Sequence, residues 1–440
     1  MSGNIDYTAK PPAKSTAAYV CSPEKALKTI LAVEYSNDHS EIIRDELPAI
    51  ISHWLQDPKA DPILLDSSYK DKWTKILSSL GRIEKVGLFP KSTKTADKKV
   101  LIDYSGFPLP PVNKKPKFNF IDLFAGIGGF RLALESLGGK CVFSSEWDKH
   151  AKETYYSNYG EIPFGDITNF THTNPNDSAA PEKIPNHDIL CGGFPCQPFS
   201  QAGRQLGFDD ARGTLFYDIL TIAKTQRPKV LFLENVKRLR GHDKGRTFQV
   251  ICNALEEIGY TVYSKVLKAH DYGVPQNRER IFIVAFSEPR SFNFPEPRKY
   301  QLYNNLGDIL EPDQDEQYTI SDKLWEGHQR RLREHKTKGN GFGYSLFTEE
   351  DEYANTISAR YWKDGSEILI AQKGKNPRIL SHRECARLQG YPEEFVPHAS
   401  KRHGYQQFGN SVAVPVITAI GEEIIKSLRT KQTKIRKSRQ

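Results

Sequence analysis

Residues 118–138 read FNFIDLFAGIGGFRLALESLG. A short apolar run ends in glycines, and a helix-compatible stretch follows at once. The pattern recurs at CVFSSEWD, again with a helix-compatible stretch behind it. HDILCGGFP, KVLFLENV, TVYSKVLKA and RIFIVAFS are further strand candidates, separated by helical pieces such as GTLFYDILTIAKTQ and GRTFQVICNALEEIG. Strands alternating with helices predict an α/β fold, with a mostly parallel sheet covered by helices on both faces. Ligands in such folds bind at the carboxyl ends of the strands. Site residues are therefore sought where these runs end.

Outside this core the rhythm changes. Residues 1–18 are polar and read as disordered. Ile42, Ile43, Leu47, Ile50, Ile51 and Leu55 recur at helical spacing, as do Trp73, Ile76, Leu77 and Leu80, with Pro48 a possible break in the first series. FPLPPVNKKPKF, four prolines in residues 107–118, reads as a linker. The divisions expected are a helical N-terminal extension with its linker over 1–117, open to a regulatory role, and a catalytic core over 118–287. A smaller, irregular, polar segment follows over 288–377, rich in Asn, Gly, charge and aromatics. The core resumes over 378–428 with ECARLQGYPEEF and the apolar helix VAVPVITAIGEEIIKSL. A tail over 429–440 carries six basic residues in twelve, read first as a frayed end and second as a phosphate-contacting arm.

Composition sets bounds. The 440 residues carry 62 Lys and Arg against 54 Asp and Glu, a net charge of +8 that permits a polyanionic partner without requiring one. No run approaches the roughly 18 apolar residues of a membrane span, and the N-terminus lacks the layout of a signal peptide. A cytoplasmic protein with no membrane partner is expected. The six cysteines contain no C-x-x-C pair, which argues against a disulfide framework and a zinc cluster; no metal is expected.

Five motifs stand at strand ends or turns. Asp122-Leu-Phe124-Ala-Gly126-Ile-Gly128-Gly129 has glycines that let backbone approach a ligand; Arg131 occupies the place of a third dinucleotide-type glycine. Glu146, about twenty residues on, could hold ribose hydroxyls, Trp147 could stack on an adenine, and Asp166 ends the next piece. Gly192-Gly193-Phe194-Pro195-Cys196-Gln197-Pro198-Phe199-Ser200 holds a cysteine between prolines at the end of a strand. A thiolate there is a candidate nucleophile. Glu234 ends VLFLENV, where a carboxyl can protonate a heterocycle. Arg278 and Arg280 alternate before IFIVAF, on one face if the strand is regular. Gln407-Phe-Gly409-Asn410-Ser411-Val412 precedes the last helix.

These motifs, in this order over Phe118–Leu428, closely resemble those of the DNA (cytosine-5) methyltransferases of bacterial restriction–modification systems. The resemblance implies an S-adenosylmethionine-dependent, Rossmann-like catalytic domain with an irregular target recognition domain. It implies that Cys196 adds to position 6 of a flipped-out cytosine, that Glu234 serves N3, and that Arg280 and Arg278 bind the base carbonyl and nearby backbone. The cofactor site would comprise Phe124, Gly126, Gly128, Glu146, Trp147, Asp166, Ile167, Pro195, Leu215, Asn410 and Val412. Ser200 and Gln201 would belong to a catalytic loop that closes on DNA. In the recognition segment, Thr356–Gly365 resembles that of enzymes that read palindromes beginning CC, with Arg360, Tyr361 and Lys363 as candidate DNA contacts. The alternative for Arg360 is a scaffold pair with Asp364 or Glu367. The partner expected is double-stranded DNA, bound by a monomer near the nucleoid, with a restriction endonuclease as functional counterpart. Two other functions remain open: a tRNA cytosine-5 methyltransferase, and a DNA-binding regulator acting through residues 1–117.

Overall fold

The computed structural model describes residues 19–37, 39–83, 100–111, 115–171, 183–195, 214–297, 302–312, 315–339 and 343–430. The chain divides into two compact units between Gly106 and Phe107. That is the start of the proline-rich run and not its end. Leu109 N–H donates to Asn158 O, and the Phe107 ring meets Tyr156 edge-on at 5.7 Å, so this stretch packs onto the second unit.

In the first unit strand β1 (Tyr19–Cys21) pairs in parallel with β2 (Val100–Ile102), beside helices α1 (Pro23–Glu34), α2 (Glu41–Gln56) and α3 (Ser67–Ile83). Pro48 does not break α2, which runs through it. The buried Glu34 carboxylate holds the unit together. It accepts from Trp73 Nε1 at 2.7 Å and His39 Nε2 at 3.1 Å, and pairs with Lys72 at 2.9 Å.

The second unit is built in chain order from β3 (Phe118–Leu123), α4 (Gly129–Ser136), β4 (Gly139–Ser145), α5 (Lys149–Tyr159), α6 (Thr168–Thr171), β5 (Ile189–Gly193), α7 (Leu215–Gln226), β6 (Val230–Val236), α8 (Arg246–Glu257), β7 (Thr261–Lys268), β8 (Gln276–Asn277) and β9 (Glu279–Phe286). Its six-stranded sheet has the order β4-β3-β5-β6-β9-β7, and only β9 runs against its neighbours. This is the α/β sheet that the alternation predicts. The chain leaves β3 in one direction to β4 and later returns on the other side to β5. The order therefore reverses at β3, which opens a crevice at the carboxyl ends of β3 and β5.

The irregular segment contains a helix that apolar periodicity did not flag, α9 (Asp322–Thr337), with His328 its one buried residue. Strands β10 (Leu346–Phe347), β11 (Ala354–Asn355) and β12 (Leu369–Ile370) are two residues each. β11 pairs with β8, and Ala354, Ile357, Tyr361, Ile368 and Leu369 are buried in the same hydrophobic core as the main sheet. Helices α10 (His382–Leu388), α11 (Lys401–Asn410) and α12 (Val414–Arg429) close the unit. Among the described residues no helix is long and apolar enough to cross a membrane.

Glu384 locks the return to the core. Fully buried, it takes both terminal nitrogens of Arg378 at 2.8 Å, Ser381 N–H at 2.7 Å and Glu311 N–H at 2.8 Å, inside a capping box that starts α10. Removing one partner of a buried pair strands the other charge. Glu384→Ala is expected to cost the second unit about 3–5 kcal/mol of stability in urea unfolding. A loss below about 1 kcal/mol would show that Arg378 re-solvates there.

Candidate active site

One wall of the crevice is the turn after β3. Phe124 and Gly126 both have φ of +55° and Gly128 +83°. A side chain on Gly128 would overlap the Tyr159 ring, with Cβ 2.4 Å from its Cε2, whereas nothing lies within 4 Å of where a Gly126 Cβ would stand. Gly128 is thus required by packing, and Gly126 leaves open space above the turn. Glu146, at the end of β4, faces that space. Its Oε2 accepts from Gly126 N–H at 2.8 Å and its Oε1 from Asp148 N–H at 2.8 Å. Burial raises its pKa, against the pull of these backbone donors. Trp147 beside it is 82% exposed, a large ring with its face available to a planar partner. Asp166 is exposed and accepts from Thr168 N–H at 2.9 Å, Ile167 is buried, and Leu215 opens α7. Val412 packs on Gly129, where a Cβ would come within 2.7 Å of its methyl, and the neighbouring Asn410 is exposed at the end of α11. The turn, the carboxylate and the exposed indole suit a ligand that pairs vicinal hydroxyls with a planar ring, such as a nucleoside.

The second wall is chemical. Strand register sets Gly193 beside Glu234. Glu234 is buried, and burial raises its carboxyl pKa against the opposing guanidiniums of Arg280 and Arg278. Arg280 Nε lies 3.0 Å from Glu234 Oε1 but is poorly aligned, so that oxygen has no hydrogen-bond partner among the described residues. In its acid form this carboxyl, beside a guanidinium, would present two donors side by side. That pair matches the two adjacent acceptors, N3 and O2, of a cytosine removed from its stack.

Arg278 has other partners. It falls between β8 and β9, 2% exposed, and its terminal nitrogens donate to the carbonyls of Ile357 (3.3 Å), Gly409 (3.2 Å) and Ser411. Its Nε lacks a partner among the described residues. Burial pulls its pKa down to about 9, still cationic at neutral pH. The base contact expected of Arg278 thus gives way to main-chain bonds. Sequence reasoning gave no role to Gln276 or Asn235. Gln276 donates to Leu388 O at 2.9 Å and accepts from Ile357 N–H at 3.2 Å. Asn235 donates to Phe194 O at 2.9 Å and so clamps the backbone next to Pro195. Its place in Glu-Asn-Val, at the end of a strand, was the available signal. Cys196, Ser200 and Gln201 lie outside the described residues; Pro195, the last residue before them, is exposed.

In the recognition segment Tyr361 is a correction. It is fully buried, donating to Ile368 O at 2.6 Å and accepting from Leu380 N–H at 2.9 Å, so it builds the segment and cannot face DNA. Arg360 is exposed, and its guanidinium has no partner among the described residues. The scaffold alternative fails because Asp364 is held by Arg331 at 3.1 Å and Glu367 by Ser358. Lys363 is exposed, its Nζ 5.6 Å above the Trp362 ring, which Arg402 also covers at 4.8 Å.

Residues 118–426 match the family described as C-5 cytosine-specific DNA methylase. The chain belongs to that family. It is 53% identical over 339 residues to the Type II methyltransferase M.SsoII of Shigella sonnei, covering 76% of this chain and 86% of the relative. It is 55% identical over 319 residues to the Type II methyltransferase M1.ScrFI of Lactococcus lactis subsp. cremoris, covering 72% and 80%. Among solved structures, the Entamoeba histolytica methyltransferase EhMeth shares the fold with a TM-score of 0.57 at 19% identity, over 72% of this chain and 100% of that one. The enzyme is a DNA (cytosine-5) methyltransferase, a family that uses S-adenosylmethionine as methyl donor.

If Glu234 acts as the acid, its raised pKa predicts a pH dependence. Its folded pKa is raised, so between the unfolded and folded pKa values the native state holds a proton that the unfolded chain has lost. Stability contributed by the site therefore falls as pH rises through the folded pKa, and the acid form that can donate is lost over the same interval. The single-turnover methylation rate is expected to fall across that interval. Glu234→Gln should be slower by about 10²–10⁴-fold and lack that descending limb. A limb retained in the glutamine variant would assign it to another group.

Proposed function

We propose that this methyltransferase modifies one cytosine within a short duplex DNA site, with Cys196 as nucleophile, Glu234 as acid and Arg280 on the base carbonyl. The observation that carries the reading is the buried Glu234 carboxyl beside Arg280, in register with Gly193, three residues before Cys196. The Cys196 thiolate adds to C6 while Glu234 gives its proton to N3, which makes C5 of the resulting enamine nucleophilic. The cofactor supplies an electrophilic methyl on a sulfonium. Once C5 carries the methyl, transfer of its proton to a solvent water or hydroxide and expulsion of the Cys196 thiolate restore the aromatic ring, and N3 returns its proton to Glu234. Arg280 stabilises the negative charge that gathers on the carbonyl oxygen.

Phe124, Gly126, Gly128, Glu146, Trp147, Asp166, Ile167, Pro195, Leu215, Asn410 and Val412 would hold the donor. Glu146 would exchange a backbone donor for ribose hydroxyls, and Trp147 would stack on the adenine. Ser200 and Gln201 would close over the flipped base. The Type II names of relatives more than half identical favour a restriction–modification setting, in which methylation protects DNA from a partner endonuclease. They favour DNA over tRNA as substrate for the same reason. No metal enters this chemistry.

Two experiments test the reading. Cys196→Ser should abolish methylation while leaving S-adenosylmethionine affinity within a few-fold, and only the wild type should be trapped covalently on duplex DNA containing 5-fluorocytosine. Equal trapping of the serine variant would remove Cys196 from its role. For recognition, Arg360→Ala is assayed on a library of randomised sites. Loss of a bidentate guanine contact should cost about 1–3 kcal/mol and relax one base pair. A uniform fall with unchanged preference would assign Arg360 to the phosphates.

A further inference from the structure

Away from the catalytic wall, three side chains converge that the methylation chemistry does not use. His150 and Glu153 lie one turn apart at the start of α5, and His398 comes from the loop before α11, 245 residues from Glu153 in sequence. Glu153 Oε2 lies 3.1 Å from His150 Nδ1 and 3.3 Å from His398 Nε2, and the three ligand atoms are all within 4.8 Å of one another. We propose that His150, Glu153 and His398 form a binding site for a divalent transition metal of the zinc class.

The donor set and the spacing both fit. Two imidazoles and a carboxylate, with a fourth position open to solvent, are a recurring zinc combination. Ligands at about 2.0–2.2 Å from a tetrahedral ion stand about 3.3–3.6 Å apart, and two of the three edges are already within a few tenths of an ångström of that. Protons on the two rings now bridge to one carboxylate oxygen where the cation would sit. The elements that carry the ligands are fixed to each other. Asn158 of α5 exchanges hydrogen bonds with Val396 N–H at 2.8 Å and Val396 O at 2.9 Å. Gln407 of α11 donates to His150 O at 2.9 Å and accepts from Thr154 at 3.0 Å. The entropy of gathering the ligands is thus largely met by the fold.

Two features set the strength and role of the site. Ser400 N–H donates to His398 Nδ1 at 2.9 Å. Ligation through Nε2 moves the ring proton to Nδ1, so this amide loses its acceptor. The half-exposed Glu153 and this lost bond make the metal exchangeable, unlike a closed structural zinc. His403 stacks on His150 at 3.6 Å and is the nearest additional imidazole. His150 lies three residues after the exposed Trp147, so the metal would pin the start of α5, next to that indole, to the loop before α11.

Calorimetric titration of zinc chloride into tag-free, chelator-treated full-length protein tests the site, with thermal unfolding recorded in parallel. One equivalent should bind and raise the Tm. His150→Ala and His398→Ala should each weaken binding at least about tenfold and abolish the Tm rise. The cobalt complex should lack a thiolate-to-metal charge-transfer band. Absence of saturable binding, or binding equally strong in both histidine variants, would overturn the proposal. A thiolate band would do so as well, since it would assign the metal to cysteine.

Discussion

The Arg278 guanidinium is the tie on which the site's geometry depends. It is buried at the gap between β8 and β9 and reaches main-chain carbonyls on two remote segments, Ile357 on one and Gly409 and Ser411 on the other. The Ile357 carbonyl lies in irregular backbone, those of Gly409 and Ser411 lie at the C-terminal end of α11, where carbonyls lack intrahelical donors, and an unsatisfied buried carbonyl costs about 1–3 kcal/mol. Gly409 shows how close the approach is, since a Cβ there would fall 2.3 Å from the Ala359 nitrogen. One side chain thus sets the recognition segment and the Asn410–Val412 end of the crevice against the strand that presents Arg280.

From that tie the chemistry follows by short steps. Arg280 begins the antiparallel run of β9 beside β6, so it meets Glu234 at the opposite strand's end. Glu234 is deeply packed, which raises its pKa, and its Oε1 lacks an aligned donor among the described residues. Asn235, next in sequence, reaches across to Phe194 O and fixes the exit from β5 toward Cys196. The parallel strands β5 and β6 end together at one edge, antiparallel β9 begins there, and the reversal of strand order at β3 leaves the donor's crevice alongside.

The sheet was legible in the sequence because apolar strands and amphipathic helices alternate cleanly from Phe118 to Phe286, and the chemistry sits where those strands end. Interruptions and long-range contacts were harder to read. Alternation along a continuous strand put Arg278 and Arg280 on one face, but the break at 278 sends Arg278 to carbonyls that no local pattern could reveal. Tyr361, in a stretch of Arg, Trp and Lys, looked like a DNA contact. Its burial depends on Ile368 and Leu380, which a linear reading does not bring near. Pro48 looked like a helix breaker, yet α2 continues through it. Helix α9 escaped because it buries one histidine and so carries almost no apolar stripe. The His150–Glu153–His398 trio could not be seen at all, since its members meet only after the fold is complete.

Hydrogen-exchange mass spectrometry on Arg278→Met tests the tie most directly. If the guanidinium holds the site together, the amides of residues 354–361 and 409–412 lose protection together, though they are remote in sequence, while β3, β5 and β6 exchange as in the wild type. Wild-type protection in both segments, or loss of protection throughout the sheet, would contradict this account.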